Sequence, residues 1–473
     1  MHSRPRLRHW FSRAALCIIG LVWLQFADAQ QGQWQQRTLP NGLTVRYCQD
    51  STRHLLHLGL TLRGGASLDA TGTMGLAHLY EHLFFQHLPD SSPATEGIDQ
   101  GIFISHNTQL EAHFFGLSIA PAWADAAFEM MGSGLRNNAW DEASLQAAKA
   151  AIATELQIWE NAPENHLGTE LQAALWKQAA SQKHVLGSYS DILRLGTDAI
   201  LKATAAYRHP GNCLLAATGN GPAEAFFDQA AATLGEWHSE NETAPLPRFA
   251  FPDLEKSLYF TTVNEFAAQP LIMVAWPVAI GTTPAETSRD ALAFCKVASL
   301  KQGTLHQSLV GRGLAHSLNW SWAGGNNPGQ LLLYVLPVQD SLAACLQAIQ
   351  TGLVAMAGEN GIRKEDVAVA NRLMRLQAAQ NNDQSMGRLI ASGQAWLLSP
   401  DSLVMPTLNA DRMRNFCKTH VAQRPHVAGL LLSSTSLAEI DPETSFREPK
   451  PALPVTFRDT FAENTAARCT DPA

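Results

Sequence analysis

The chain has 473 residues, 46% of them hydrophobic and 16% charged, which is ordinary globular composition and excludes large-scale disorder. Its formal net charge of -8 argues against a nucleic-acid partner and is compatible with basic peptides. The length is ample for two or three packed domains.

In chain order, the first segment sets Arg4, Arg6, Arg8 and Arg13 before an apolar run that ends in Ala27-Asp28-Ala29. That is the layout of a cleaved secretory leader over residues 1-29. The run from Ala14 to Trp23 falls well short of the ~20 residues that cross a bilayer, so no stable membrane anchor is expected. The expectation is an exported chain, periplasmic or extracellular. Cleavage after Ala29 would remove four Arg and one Asp and take the net charge from -8 to -11. Cys48, Cys213, Cys295, Cys345, Cys417 and Cys469 would remain, and their spacing is compatible with disulfides and with buried free thiols alike.

The body reads as two copies of one plan, residues 30-240 and 257-445, joined by a Pro- and acid-bearing connection over 241-256 and followed by a polar tail over 446-473. In the first copy the strand-like LLHLGLTLRGGASL leads into the helical MGLAHLYEHLFFQ; in the second, PLIMVAWPVAIGTT leads into RDALAFCKVASL. Laying these helices together sets His78 opposite Phe294, an offset of 216 residues. The same offset sets Leu214 in NCLLAATGN opposite Leu430 in HVAGLLLSS, and agreement at both ends points to duplication. Between them each copy carries a strand-like stretch ending in proline, HFFGLSIAP or QLLLYVLP, then a long helical segment from Ala122 or Val338. Strands joined by hairpins and long connections, with helices in runs, predict an α+β fold.

The chemistry concentrates in His78-Leu79-Tyr80-Glu81-His82, inside a helix whose neighbours are apolar. At 3.6 residues per turn His78, Glu81 and His82 share one face. Two imidazoles four apart can both reach one zinc ion at ~2.0 to 2.1 Å, and the carboxylate between them lies close enough to take a proton from water there. Burying three such groups in so apolar a helix is costly unless they are paired or coordinated. A third ligand must come from elsewhere. The helix SLQAAKAAIATELQIWENAPEN offers Glu155 in Ala-rich surroundings, whereas Glu160 and Glu164 read as solvated and Glu142 suits the helix's first turn.

HLYEH, a glutamate some seventy residues downstream and a degenerate second copy resemble the pitrilysin family, which includes insulin-degrading enzyme and mitochondrial processing peptidase. NGLTVRYC, GLAHLYEHLFF, TELQIWENAPEN and YRHPGNCLLAATGN each sit where that family has its landmarks. The resemblance implies one zinc ion on His78, His82 and Glu155, with Glu81 as general base, hydrolysing peptides or unfolded segments. It also implies two homologous domains, each a mainly antiparallel sheet with helices on one face, forming half of a clamshell chamber. Substrate would lie as an added strand on the edge FISHNTQLEAHFF, with Ser105, His106, Asn107 and Thr108 as candidate contacts. His106 and His113 otherwise read as sheet histidines with no catalytic role.

Several positions depart from the family pattern. Ser105-His106-Asn107-Thr108 stands where members often read Asn-Ala-X-Thr, and Ala148 stands where many carry another acid. Leu309 and His316 replace the substrate-contacting Arg and Tyr of active second copies; Phe294, Val297 and Ala298 replace ligands and base, so the second copy holds no zinc this way. A complete family chamber needs four such domains, which implies a homologous second subunit supplying the Arg/Tyr contacts, with a homodimer as the runner-up. The alternative function is a catalytically weak or silent member serving as scaffold or peptide-binding subunit.

Overall fold

A computed structural model describes residues 34-86, 101-137, 139-176, 185-205, 207-239, 248-252, 254-398 and 408-433. The expected leader over 1-29, the tail over 446-473, Cys469 and half of the connection over 241-256 lie outside the described residues. Two sheets organise the rest. The first contains β1 (Trp34–Thr38), β2 (Thr44–Gln49), β3 (Leu56–Arg63), β4 (Phe103–Thr108), β5 (Ala112–Ile119) and β6 (Cys213–Gly219), in the order β1-β2-β6-β3-β5-β4. The second contains β7 (Leu258–Val263), β8 (Leu271–Val278), β9 (Ala315–Ala323), β10 (Gly329–Pro337) and β11 (Val427–Leu432), in the order β7-β11-β8-β10-β9.

Superposed by order, β2, β6, β3, β5 and β4 correspond to β7, β11, β8, β10 and β9, and β1 is the first sheet's extra strand. Each sheet has one parallel ladder, β2 with β6 and β7 with β11; the other pairings are antiparallel. The chain is thus two α+β domains of one topology. Among the described residues β4 and β9 pair on one side only and form the corresponding edges.

Why β6 reads CLLAATG and β11 reads VAGLLL, apolar at successive positions, follows from burial of both faces. One face of the first sheet packs on helices of its own copy, with Leu215, Ala217, Phe115 and Leu117 in that core. Its other face, through Phe114, Leu214 and Ala216, packs on Leu389 and Trp396 of the helix Ser385–Leu398, which belongs to the second copy. Reciprocally, the helix Pro163–Leu175 of the first copy lays Leu167 and Leu171 on Leu271, Met273 and Leu431 of the second sheet. Helices on one face describe each copy alone; the exchanged helices cover the second face.

The exchanged helix Ser385–Leu398 approaches the first sheet closely at Gly393, where an added Cβ would stand 2.1 Å from Thr61 Oγ1. Arginines tie the contact down. Arg46 Nη1 donates to the Ser392 carbonyl at 3.3 Å, Arg63 Nη2 donates to the Trp396 carbonyl at 3.2 Å with its guanidinium 4.2 Å over the Trp396 ring, and Arg388 donates to Asp50 at 3.3 Å. Cys48, Cys213, Cys295, Cys345 and Cys417 are all buried and form no disulfide with one another, so of the two sequence-compatible states the described cysteines take the buried-thiol one. Among the described residues no helix is long and apolar enough to cross a membrane.

Candidate metal centre

The histidine pair is built on the helix Leu76–Leu83, which the fold anchors at both ends. Gly75 before it adopts a φ of 96°, a conformation that favours glycine, and a Cβ there would also stand 3.0 Å from Gly187 Cα. The buried Asp69 carboxylate accepts from Gly75 N at 2.8 Å and Ala77 N at 3.0 Å, satisfying two amides of the first turn. Trp140 Nε1 donates to the Leu83 carbonyl at 2.9 Å at the other end. The helix therefore has little freedom to rotate its polar face.

Against it lies the helix Glu142–Glu160, started by the Asp141 side chain accepting from Ser144 N at 2.7 Å. Leu145, Ala148, Ile152 and Leu156 bury one stripe of that helix, and this aims Glu155 at the histidines. His78 Nε2 stands 3.3 Å from Glu155 Oε2, His82 Nε2 stands 3.5 Å from Glu155 Oε1, and the two Nε2 atoms are 3.2 Å apart. Donors at ~2.0 to 2.1 Å from a tetrahedral zinc are separated from one another by roughly 3.3 to 3.4 Å. The three separations are close to that edge length, with the histidines facing different oxygens of the one carboxylate, so these three residues fit a shared cation. Hydrogen bonding to His78 and His82 holds the Glu155 carboxyl well below the usual carboxylate range, keeping it an anion.

Glu81 sits beside the triangle, 5% exposed. Burial pushes its carboxyl up, but the hydrogen bond from His106 and the neighbouring His78 outweigh this and bring it below its ordinary value. His106 Nδ1 lies 2.6 Å from Glu81 Oε1, while Glu81 Oε2 is buried with no hydrogen-bond partner among the described residues. The same contact raises the His106 imidazole above its ordinary value. Thr108 Oγ1 meets His113 Nδ1 at 3.0 Å, and complete burial lowers His113 to about 4, leaving it a neutral core residue.

The four candidate edge residues are thus split between environments. His106 and Thr108 approach Glu81, His106 keeping part of its ring in solvent; Asn107 is exposed; Ser105 Oγ and Met386 of the exchanged helix both stand close over Gly116. The histidine reading of FISHNTQ missed the bond to Glu81, because it depends on β4 being the strand beside the motif helix. Ala148 is fully buried and Leu309 lies within the second core, whereas His316 is exposed on β9. Phe294, Val297 and Ala298 are likewise buried core residues.

The triangle opens into a cavity of about 1330 Å³ between the two sheets. Its walls include β4, the exchanged helix Pro163–Leu175, Gln330 and Tyr334 of β10, and Asn319 of β9.

Comparison with known proteins gives a consistent result. Residues 44–188 match the family described as Insulinase (Peptidase family M16), and residues 194–374 match the Peptidase M16 inactive domain. The uncharacterized zinc protease YmxG of Bacillus subtilis (strain 168) is 19% identical over 217 residues, 45% of this chain and 53% of that protein. The match thus spans about half the length of that curated relative. A putative M16-like peptidase from Alicyclobacillus acidocaldarius superposes with a TM-score of 0.74 at 17% identity, over 86% of this chain and 100% of that one. A protease from Helicobacter pylori does so at 0.72 and 15% identity, over 85% and 100%. At such identities the structural likeness speaks for the fold.

Proposed function

Because the chain belongs to the insulinase family, peptidase family M16, we propose that it is a zinc-dependent endopeptidase hydrolysing peptides or unfolded polypeptide segments. The observation that carries the reading is the zinc-sized triangle of His78, His82 and Glu155 with a buried, half-partnered Glu81 beside it. A zinc ion held there supplies a Lewis acid that polarises a carbonyl and brings the pKa of a water towards ~7. Glu81 takes the proton of the attacking water at Oε2 and delivers it to the departing amine nitrogen as the C–N bond breaks. The outer side of β4, unpaired among the described residues, offers main-chain groups to a substrate that adds as an extra strand, and the cavity receives it.

The closing of the chamber by a homologous second subunit, with a homodimer as runner-up, belongs to the same proposal, as does export to the periplasm or the exterior. Full activity of a monomer, measured by sedimentation alongside peptide cleavage, would overturn the two-subunit part. The main test is metal content after dialysis followed by cleavage of a quenched peptide library by wild type and Glu81→Gln. One zinc per chain in both proteins is expected, with activity falling about 100- to 10,000-fold in the variant.

Ala148 and Leu309, apolar residues both packed in the core where the resemblance expects an acid and an Arg, favour a second reading as a weak or silent scaffold or peptide-binding subunit. Equal cleavage by wild type and Glu81→Gln, or a protein that keeps no zinc, would select it.

A further inference from the structure

The edge strand β4 carries a side chain that the proposed reaction leaves without a role. His106 projects from that strand onto Glu81, with Nδ1 at 2.6 Å from Oε1. A carboxylate only accepts hydrogen bonds, so Nδ1 is the protonated nitrogen in this pair. Its ring also stands edge-on to the His82 ring, with centroids 5.8 Å apart. The imidazole thus bonds the base and stands beside one of the proposed ligands, with part of its ring in solvent.

Glu81 has two oxygens in different states. Oε1 has its donor in His106 at 2.6 Å; Oε2 is buried and has no hydrogen-bond partner among the described residues, with the Thr108 hydroxyl the further polar group beside the carboxylate. A buried carboxylate with neither oxygen held would be costly and free to turn about its terminal torsion. A donor on Oε1 removes that freedom and reserves Oε2 for the travelling proton. Thr108, two residues along β4, is buried on the same side near Glu81, so two side chains of this strand meet the motif helix. β4 is also the strand whose outer side pairs with no other strand among the described residues and is the proposed seat of the peptide.

We propose that His106 is a positioning residue that fixes Glu81 through Oε1, so that one strand sets both the register of the bound peptide and the orientation of the base. The inference rests on the endopeptidase reading and deepens it. His106 touches the base and not the reacting atoms, so its loss is felt in turnover and not in peptide affinity.

The test compares wild type, His106→Ala and His106→Asn on a quenched peptide substrate, with zinc content and melting temperature measured on the same preparations. Asn retains an N–H donor at the place of Nδ1. The expected result is a kcat about 10- to 100-fold lower for the Ala variant, with KM within about twofold of wild type and one zinc per chain retained. Asn recovers a substantial part of kcat. An unchanged kcat in His106→Ala, a loss confined to KM, a loss of zinc, or an Asn variant no better than Ala would each overturn the proposal. If the Ala variant does not fold, the Asn variant decides alone: kcat within about threefold of wild type sustains the proposal and a deeper loss overturns it. Full activity of Glu81→Gln would instead sink the endopeptidase reading beneath it.

Discussion

Glu155 is the carboxylate of the triangle, and its side chain is 43% exposed where the two imidazoles are nearly covered. Neutral imidazoles alone hold a divalent cation less well than a set that includes an anion, because the charge is then unbalanced in a partly dry site. Glu155→Gln keeps the shape and removes the charge. The protein is expected to stay folded, since the side chain is half in water, and to lose its zinc on dialysis; metal analysis beside circular dichroism checks both. Retention of a full zinc equivalent would show that the anion is dispensable. At the first turn of the motif helix, Asp69→Ala leaves two buried amides unsatisfied, and a cost of about 1 to 2 kcal/mol in urea unfolding is expected.

At the level of elements, the exchange of helices between the copies does more than cover two sheet faces. It makes each domain's inner layer depend on the other domain. Leu389→Ala is expected to cost about 2 to 5 kcal/mol, the range for emptying a buried leucine site, although the residue is distant in sequence from the sheet it covers. Asp50, which Arg388 of the exchanged helix also reaches, gives the fold a pH dependence through its own local partners. Burial pushes the Asp50 carboxyl up, but hydrogen bonds from Thr52 and Arg53 outweigh it and hold the group down at about 2. A depressed folded pKa stabilises the fold above the ordinary value near 4 and loses that contribution as pH falls towards about 2. Unfolding measured between those limits is expected to show a pH slope that Asp50→Asn reduces.

Over the whole molecule, the duplication becomes a pseudo-symmetric body whose matching hairpins meet. Glu111 in the β4–β5 turn accepts from Asn326 N at 2.9 Å and from Asn327 Nδ2 at 2.7 Å in the β9–β10 turn. Those turns correspond at the 216-residue offset, so the contact marks where the two copies face each other across the cavity. Glu111→Ala removes charge-assisted bonds worth about 1.5 to 3 kcal/mol each at this junction. A lowered unfolding midpoint is expected, with zinc content unchanged because the triangle lies elsewhere; unaltered stability would mean that the hairpin contact adds nothing. What was legible in the sequence was local. Helical periodicity alone puts His78, Glu81 and His82 on one face, and the repeated offset alone discloses two copies of one plan. The arrival of Glu155, 73 residues beyond His82, was suggested by its Ala-rich surroundings, but its distance to the histidines depends on how two helices pack. His106 on Glu81 and the exchanged helices were decided only in three dimensions, because strand order and the covering of second faces join residues that no periodicity relates.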